Sequence, residues 1–150
     1  MSKKSIALLI VLFISPVIIY LLWPTDESRI RKLFKEGSKA VEARNVDEVM
    51  SKVSYNFSDE HGLSYITLKQ GIERTFKEMS GIRIEYEIKD IKVKDEKASA
   101  QMDIRVIATR GNDTGYFLGD AARPAQLKFS LEKERTKWLV TSVQGLRVEF

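Results

Sequence analysis

The chain predicts an α+β fold: three helices packed on a curved antiparallel sheet of four to five strands, preceded by one transmembrane helix. Three observations carry this expectation. Residues 6–23, IALLIVLFISPVIIYLLW, form an uncharged run of eighteen residues. Apolar residues then recur at helical spacing up to about residue 80, and from Ile82 onward the period changes to two. Helical segments grouped ahead of strand segments, rather than alternating with them, place helices on one face of an antiparallel sheet.

The apolar run follows a short basic tail, residues 1–5. As a helix it spans roughly 27 Å, close to the hydrocarbon thickness of about 30 Å. A core helix of a soluble domain would carry a polar face, and this run has none. A cleaved signal would have a shorter apolar region and a small-x-small site. Here Tyr20, Leu21, Leu22, Trp23 and Pro24 stand instead. The expectation is an uncleaved single-pass anchor, with Tyr20 and Trp23 in the headgroup layer. Cysteine is absent, which excludes a lipidated N-terminal cysteine, disulfides and thiolate metal sites. Lys3 and Lys4 precede the span, while Asp26 and Glu27 follow it. This polarity predicts a cytoplasmic N-terminus and a domain on the extracytoplasmic, periplasmic side. Arg29, Arg31, Lys32 and Lys35 oppose that assignment, but they fall within an amphipathic helix of a long translocated domain.

The domain runs from 26 to 150. Ile30, Leu33, Phe34, Gly37, Ala40 and Val41 mark the buried face of a first helix, with Thr25, Asp26 and Ser28 as candidate caps. Val46, Val49, Met50 and Val53 mark a short second helix. In SYNFSDEHGLSYI, Tyr55 and Phe57 alternate as in a short strand or irregular edge, before a turn from Asp59 to Gly62. Thr67 and Gln70 have capping-box spacing and open a third helix through Leu68, Ile72, Phe76 and Met79. Ile82, Ile84, Tyr86 and Ile88 then alternate with charged residues, and the phase slips at Lys89–Asp90, which predicts a β-bulge. Ala98 to Ala108 alternate as a second strand, residues 127–131 form a third, and WLVTSVQGLRVEF a long last one, giving a meander. In that last strand Trp138 and Val140 oppose Leu139; alternation leaves open which face is inward, and Trp138 is taken as inward because a large ring after a charged turn can close the end of the cone.

The helix RKLFKEGSKAVEARNVDEVMSKVS, the break YNFSDEHG, the helix start TLKQGI and the terminal KWLVTSVQG together resemble the nuclear transport factor 2-like superfamily. Its cone-shaped, cystatin-like fold is shared by ketosteroid isomerases and polyketide cyclases. The resemblance spans about residues 26–149 and rests on element order and apolar spacing, so it implies the fold more than any activity. In the enzymes of that group a carboxylate soon after the second helix acts as a base inside the cone. Asp59 matches that place, with His61 two residues on. An acid beside an imidazole suits proton transfer. Ser, Asp and Gly around it equally suit a polar turn, which is the favoured reading. An oxyanion partner would also be required, and Tyr86 is the one inward candidate.

Composition narrows the remaining classes. Without Lys3 and Lys4 the chain carries 23 basic and 21 acidic side chains, interspersed as in KDEK and LEKERTK. That pattern does not make the basic stripe of a nucleic-acid binder. The triplet Asp59, Glu60, His61 lies within one turn and holds the only histidine, so no metal site is expected. No cofactor is expected either: Gly111, Gly115 and Gly119 lack the strand–turn–helix setting of a phosphate loop, and they lie outside the apolar span. Asn56 and Asn112 match the glycosylation pattern, which has meaning only in a eukaryotic secretory pathway. The fifteen residues from Arg110 to Pro124 exceed an ordinary hairpin connection. They extend the strands, or Tyr116, Phe117 and Leu118 form a flap over the cone mouth or a self-association surface.

Expected function is therefore a membrane-anchored, non-enzymatic domain of the cell envelope, binding a small apolar ligand or a partner protein, or forming a homodimer. Phe34, Phe76, Tyr86 and Met102 are its pocket candidates. The alternative is an isomerase- or cyclase-type enzyme using Asp59 and His61. Full-length protein should stay with the membrane through alkaline carbonate extraction. Release by carbonate, or a mature N-terminus mapped near Thr25, would overturn the uncleaved anchor.

Overall fold

A computed structural model describes residues 2–146. Its first element, α1 (Lys3–Leu22), is 20 residues long, with no buried residue. It is long and apolar enough to cross a membrane. Pro16 lies inside it.

Helix α2 (Asp26–Glu42) begins where Thr25 Oγ1 accepts the Ser28 amide at 3.1 Å. Asp26 and Glu27 in its first turn and Lys39 in its last complement the helix dipole. Ile30, Leu33, Phe34 and Ala40 are its buried residues, four of the six predicted from spacing. Helix α3 (Val46–Met50) follows the Asn45 cap. Helix α4 (Tyr65–Glu78) opens three residues earlier than the Thr67 capping box predicts. Ser64 is the cap, accepting from the Thr67 amide, and Thr67 becomes a first-turn residue hydrogen-bonded to the Ser64 hydroxyl. Two candidate caps three residues apart compete, and the upstream one captures an additional turn.

The sheet has five antiparallel strands: β1 (Gly81–Lys94), β2 (Lys97–Arg110), β3 (Asp113–Leu118), β4 (Ala125–Glu134) and β5 (Lys137–Gln144). Its order is β1-β2-β4-β5, with β3 also on β2. The four strands expected from the sequence, β1, β2, β4 and β5, thus pair in meander order, and β3 is an addition to it. Strand β2 pairs β4 from Lys97 to Ile104 and β3 from Val106 to Arg110, so both share one edge of a single long strand. Of the two readings of residues 110–124, strand extension holds for Asp113–Leu118: this is β3, turned back at Gly111, whose φ of +61 suits the tight hairpin. Strand β5 ends at Gln144, because Gly145 takes a φ of +93 and breaks the long last strand expected, and residues 147–150 lie outside the described residues.

The bulge falls at Lys89, where the register passes from Ile88↔Met102 to Asp90↔Gln101. That extra residue restores phase: Ile91 and Val93 pair with Ala100 and Ala98, on the same face as Ile84, Tyr86 and Ile88. This face meets the helices around a core of Ile30, Leu33, Phe34, Phe57, Met102, Leu127, Leu131 and Trp138. Strand alternation fails for residues 54–58. Phe57 is buried but Tyr55 is 84% exposed and stacks on Tyr65. This segment instead covers the outer edge of β5, through amide bonds from Ser54 to Val140 and from Ser58 to Thr141.

Trp138 is buried, and its indole N–H donates to Asp26 Oδ1 at 3.0 Å. Lys133 donates to the same oxygen at 3.2 Å, so one carboxylate ties the start of α2 to the β4–β5 hairpin. The Trp138 N–H foremost, then Lys133, hold the Asp26 carboxyl below its ordinary 3.8, against partial burial, which acts the other way. A depressed folded-state value means stability present above pH 3.8 and lost as pH falls through the folded pKa. In a chain beginning at Thr25, Trp138→Ala should cost about 3–5 kcal/mol, whereas Trp138→Phe should cost about 1 kcal/mol beyond repacking. Urea midpoints measured against pH should show Asp26→Asn less stable at neutral pH and level with wild type in strong acid. A parallel offset at all pH values would remove the carboxylate from the account.

Candidate functional site

A cavity of about 210 Å³ lies between the helices and the inner face of the sheet. Helix α2 supplies Leu33, Phe34, Gly37, Ser38 and Val41, α4 supplies Leu68 and Ile72, and the sheet supplies Ile84, Tyr86, Met102, Ile104 and Phe129. Phe34 and Phe129 meet edge to face, ring centroids 4.9 Å apart. Among the described residues the polar side chains in the lining are Ser38, Lys52 and Tyr86, with no carboxylate or imidazole. Such a space, nearly all apolar with a few polar groups, suits a small hydrophobic body. An engineered cavity of about 150 Å³ takes up benzene, so one ring or a short chain fits here.

Gly37 accounts for part of this space. It stands in the middle of α2, where glycine costs roughly 0.5–1 kcal/mol relative to alanine. A Cβ built there would meet nothing within 4 Å. Neither a tight turn nor a close backbone approach requires the glycine, and its effect is to leave the cavity wider. An isolated glycine within a helical pattern was the sequence signal for this.

Lys52 closes one side. Its ammonium donates to Glu36 at 2.7 Å and lies 3.4 Å from Glu48. Burial alone would lower its pKa, but the hydrogen bonds and charges of Glu36 and Glu48 outweigh that and raise it above 10.5. Lys52 is therefore a held cation rather than an available base.

Phe34, Tyr86 and Met102 line the cavity. Phe76 is buried but lies by Ala43, Arg44 and Val46, outside the lining. Tyr116 and Phe117 are 46% and 42% exposed on β3, and Leu118 packs against the core. None of the three reaches the cavity lining, because the segment is committed to pairing with β2. Asp59 and His61 are likewise outside it. Asp59 Oδ1 accepts the amides of His61 at 3.0 Å and Leu63 at 2.7 Å, the geometry of a turn. The His61 ring is exposed, 3.6 Å from Glu60. The arrangement does not pair Asp59 with His61 as acid and base.

No family model matches the sequence, and no curated protein matches it. Solved structures do. A nuclear transport factor 2-like protein of unknown function from Shewanella oneidensis aligns over 79% of this chain and 97% of its own, at 19% identity and a TM-score of 0.60. A domain of unknown function with a cystatin-like fold from Nostoc punctiforme aligns over 83% and 78%, at 20% identity and a TM-score of 0.63. The fold is nuclear transport factor 2-like. A scytalone dehydratase-like protein from Novosphingobium aromaticivorans shares it, over 83% of this chain and 89% of its own, at 13% identity and a TM-score of 0.66. At these identities the likeness carries the cone and not its chemistry.

Two substitutions separate the roles open to Asp59. Asp59→Asn keeps an acceptor oxygen and should cost only a few tenths of a kcal/mol, while Asp59→Ala leaves two amides unpaired and should cost about 1–2 kcal/mol. Neither should change what the cavity binds. Loss of binding or activity in Asp59→Asn at unchanged stability would place the carboxylate in the site.

Proposed function

We propose that this protein is a membrane-tethered, non-catalytic binding domain of the cell envelope that takes a small apolar ligand into its cone. The observation that carries the reading is Gly37, a costly residue in mid-helix beside open space in an apolar cavity. The lining supports it further, since among the described residues it offers no carboxylate or imidazole to move a proton. The isomerase or cyclase alternative needs Asp59 and His61 at the cavity, and the turn holds them elsewhere. Helix α1 supplies the tether, and Lys3 and Lys4 before it against Asp26 and Glu27 after it favour a domain outside the cytoplasm.

Self-association is a second reading, favoured by the edges of the sheet. The outer edge of β5 is covered by residues 52–58, and β1 carries charged residues and a bulge. No segment covers the outer edge of strand β3 among the described residues; it is short and carries a bulge at Phe117, but it has neither lysine nor proline and presents Tyr116 and Phe117 half-exposed. Because the chain has no cysteine, Thr114→Cys should form a disulfide-linked dimer in membranes if two copies pair there.

Gly37→Leu is the decisive substitution for the cavity. It should leave stability unchanged or raise it by up to about 1 kcal/mol, since leucine is the better helix former. It should also abolish uptake of a small aromatic probe such as naphthalene by residues 25–150, followed by side-chain methyl NMR shifts. Equal uptake by wild type and Gly37→Leu, or none by either, would overturn the binding reading.

A further inference from the structure

Helix α2 faces two different spaces. Leu33, Phe34, Gly37 and Val41 line the apolar cavity. Arg31, Lys32, Lys35, Glu36 and Lys39 line an open groove of about 790 Å³, walled on its other side by Tyr86, Glu87 and Ile88 of β1. Tyr86 belongs to both linings, so the cavity and the groove adjoin at its ring.

The groove holds four basic and two acidic side chains, and its acids are already engaged. Glu36 binds Lys52 at 2.7 Å and lies 3.7 Å from Lys32, and Glu87 lies 3.2 Å from Lys89. Arg31 is paired with Glu27 at 2.9 Å. Among the described residues neither Lys35 nor Lys39 has a carboxylate within 4.0 Å. Arg31, Lys35 and Lys39 also stand at four-residue spacing, a row of like charges that weakens a helix. A bound anion would relieve that repulsion.

We infer that the ligand is a single-chain anionic amphiphile, its apolar body in the cavity beside Gly37 and its carboxylate or phosphate head in the groove on Lys35 and Lys39. This rests on the apolar-ligand reading above and names the chemical class that the site selects. Tyr86, at the junction, is placed to offer its hydroxyl to the head. Opposite charge at the rim chooses among ligands whose apolar bodies the cavity cannot tell apart.

The test uses the full chain in discs of zwitterionic lipid, with empty discs subtracted, and equilibrium dialysis of octanoate, octyl phosphate and octanol. At low salt at least one of the two anions should bind about fivefold or more tightly than octanol, and the better of them identifies the head. The preference should shrink at high salt. K35Q/K39Q should abolish the preference while leaving octanol binding unchanged, and Gly37→Leu should abolish binding of all three. Equal binding of the three probes, unaltered by K35Q/K39Q, would overturn the head-group assignment and leave the cavity reading standing. Anion binding that survives Gly37→Leu would reduce the site to a surface contact and overturn the inference. No binding of any probe would remove the cavity reading itself.

Discussion

One carboxylate sets the position of the helical layer. Asp26 accepts the Trp138 indole N–H and the Lys133 ammonium on a single oxygen, in the first turn of α2. That contact joins residues more than a hundred positions apart and fixes where α2 starts on the sheet. The far end of the helix reaches β1, where Glu42 accepts the Ile84 amide. Between those two ties α2 bridges the sheet, and the space below its second half is the cavity. Only Trp23, Pro24 and Thr25 separate α1 from α2, so the Asp26 end of the domain is also the end nearest the candidate membrane span.

The sheet meets this helix with one continuous apolar face because β1 and β5, like the short β3, each carry an extra residue. In β1 it is Lys89, and in β5 the register shifts between Val140 and Ser142. Each shift returns the following apolar residues, Ile91 and Val143, to the inner face, and each bends its strand. A sheet bent twice in this way is concave toward the helices. Concavity leaves volume that the core side chains do not fill, and Gly37 withholds one more side chain from it. An apolar space thus follows from the geometry of the fold.

Electrostatics are kept apart from that interior. The pairs around Lys52 gather its charge with Glu36 and Glu48 at the edge of the cavity, while the lysine row of α2 turns to the groove. Side chains of opposite character on two sides of one helix make the boundary at which an amphiphilic ligand can lie.

Local order was legible in the sequence wherever period or charge determines it. The face of α2, the bulge at Lys89 and the membrane-length run could each be read from neighbours in the chain, because sterics, alternation and hydrophobicity act over a few residues. Gly37 was legible only as an anomaly. What the tertiary structure decided were matters of long-range contact. Tyr55 turns outward because the edge of β5 takes the backbone around it, and Tyr116 and Phe117 belong to a strand because β2 is long enough to hold two partners. Asp59 and His61, adjacent to a catalytic eye, do not act together: the amides of residues 61 and 63 hold Asp59 in a turn, and the His61 ring is exposed beside Glu60. A sequence encodes which residues are apolar and where the chain bends. Which of them border the same empty space depends on contacts between segments far apart, here α2, α4 and the first half of β1, and only the folded chain brings these together.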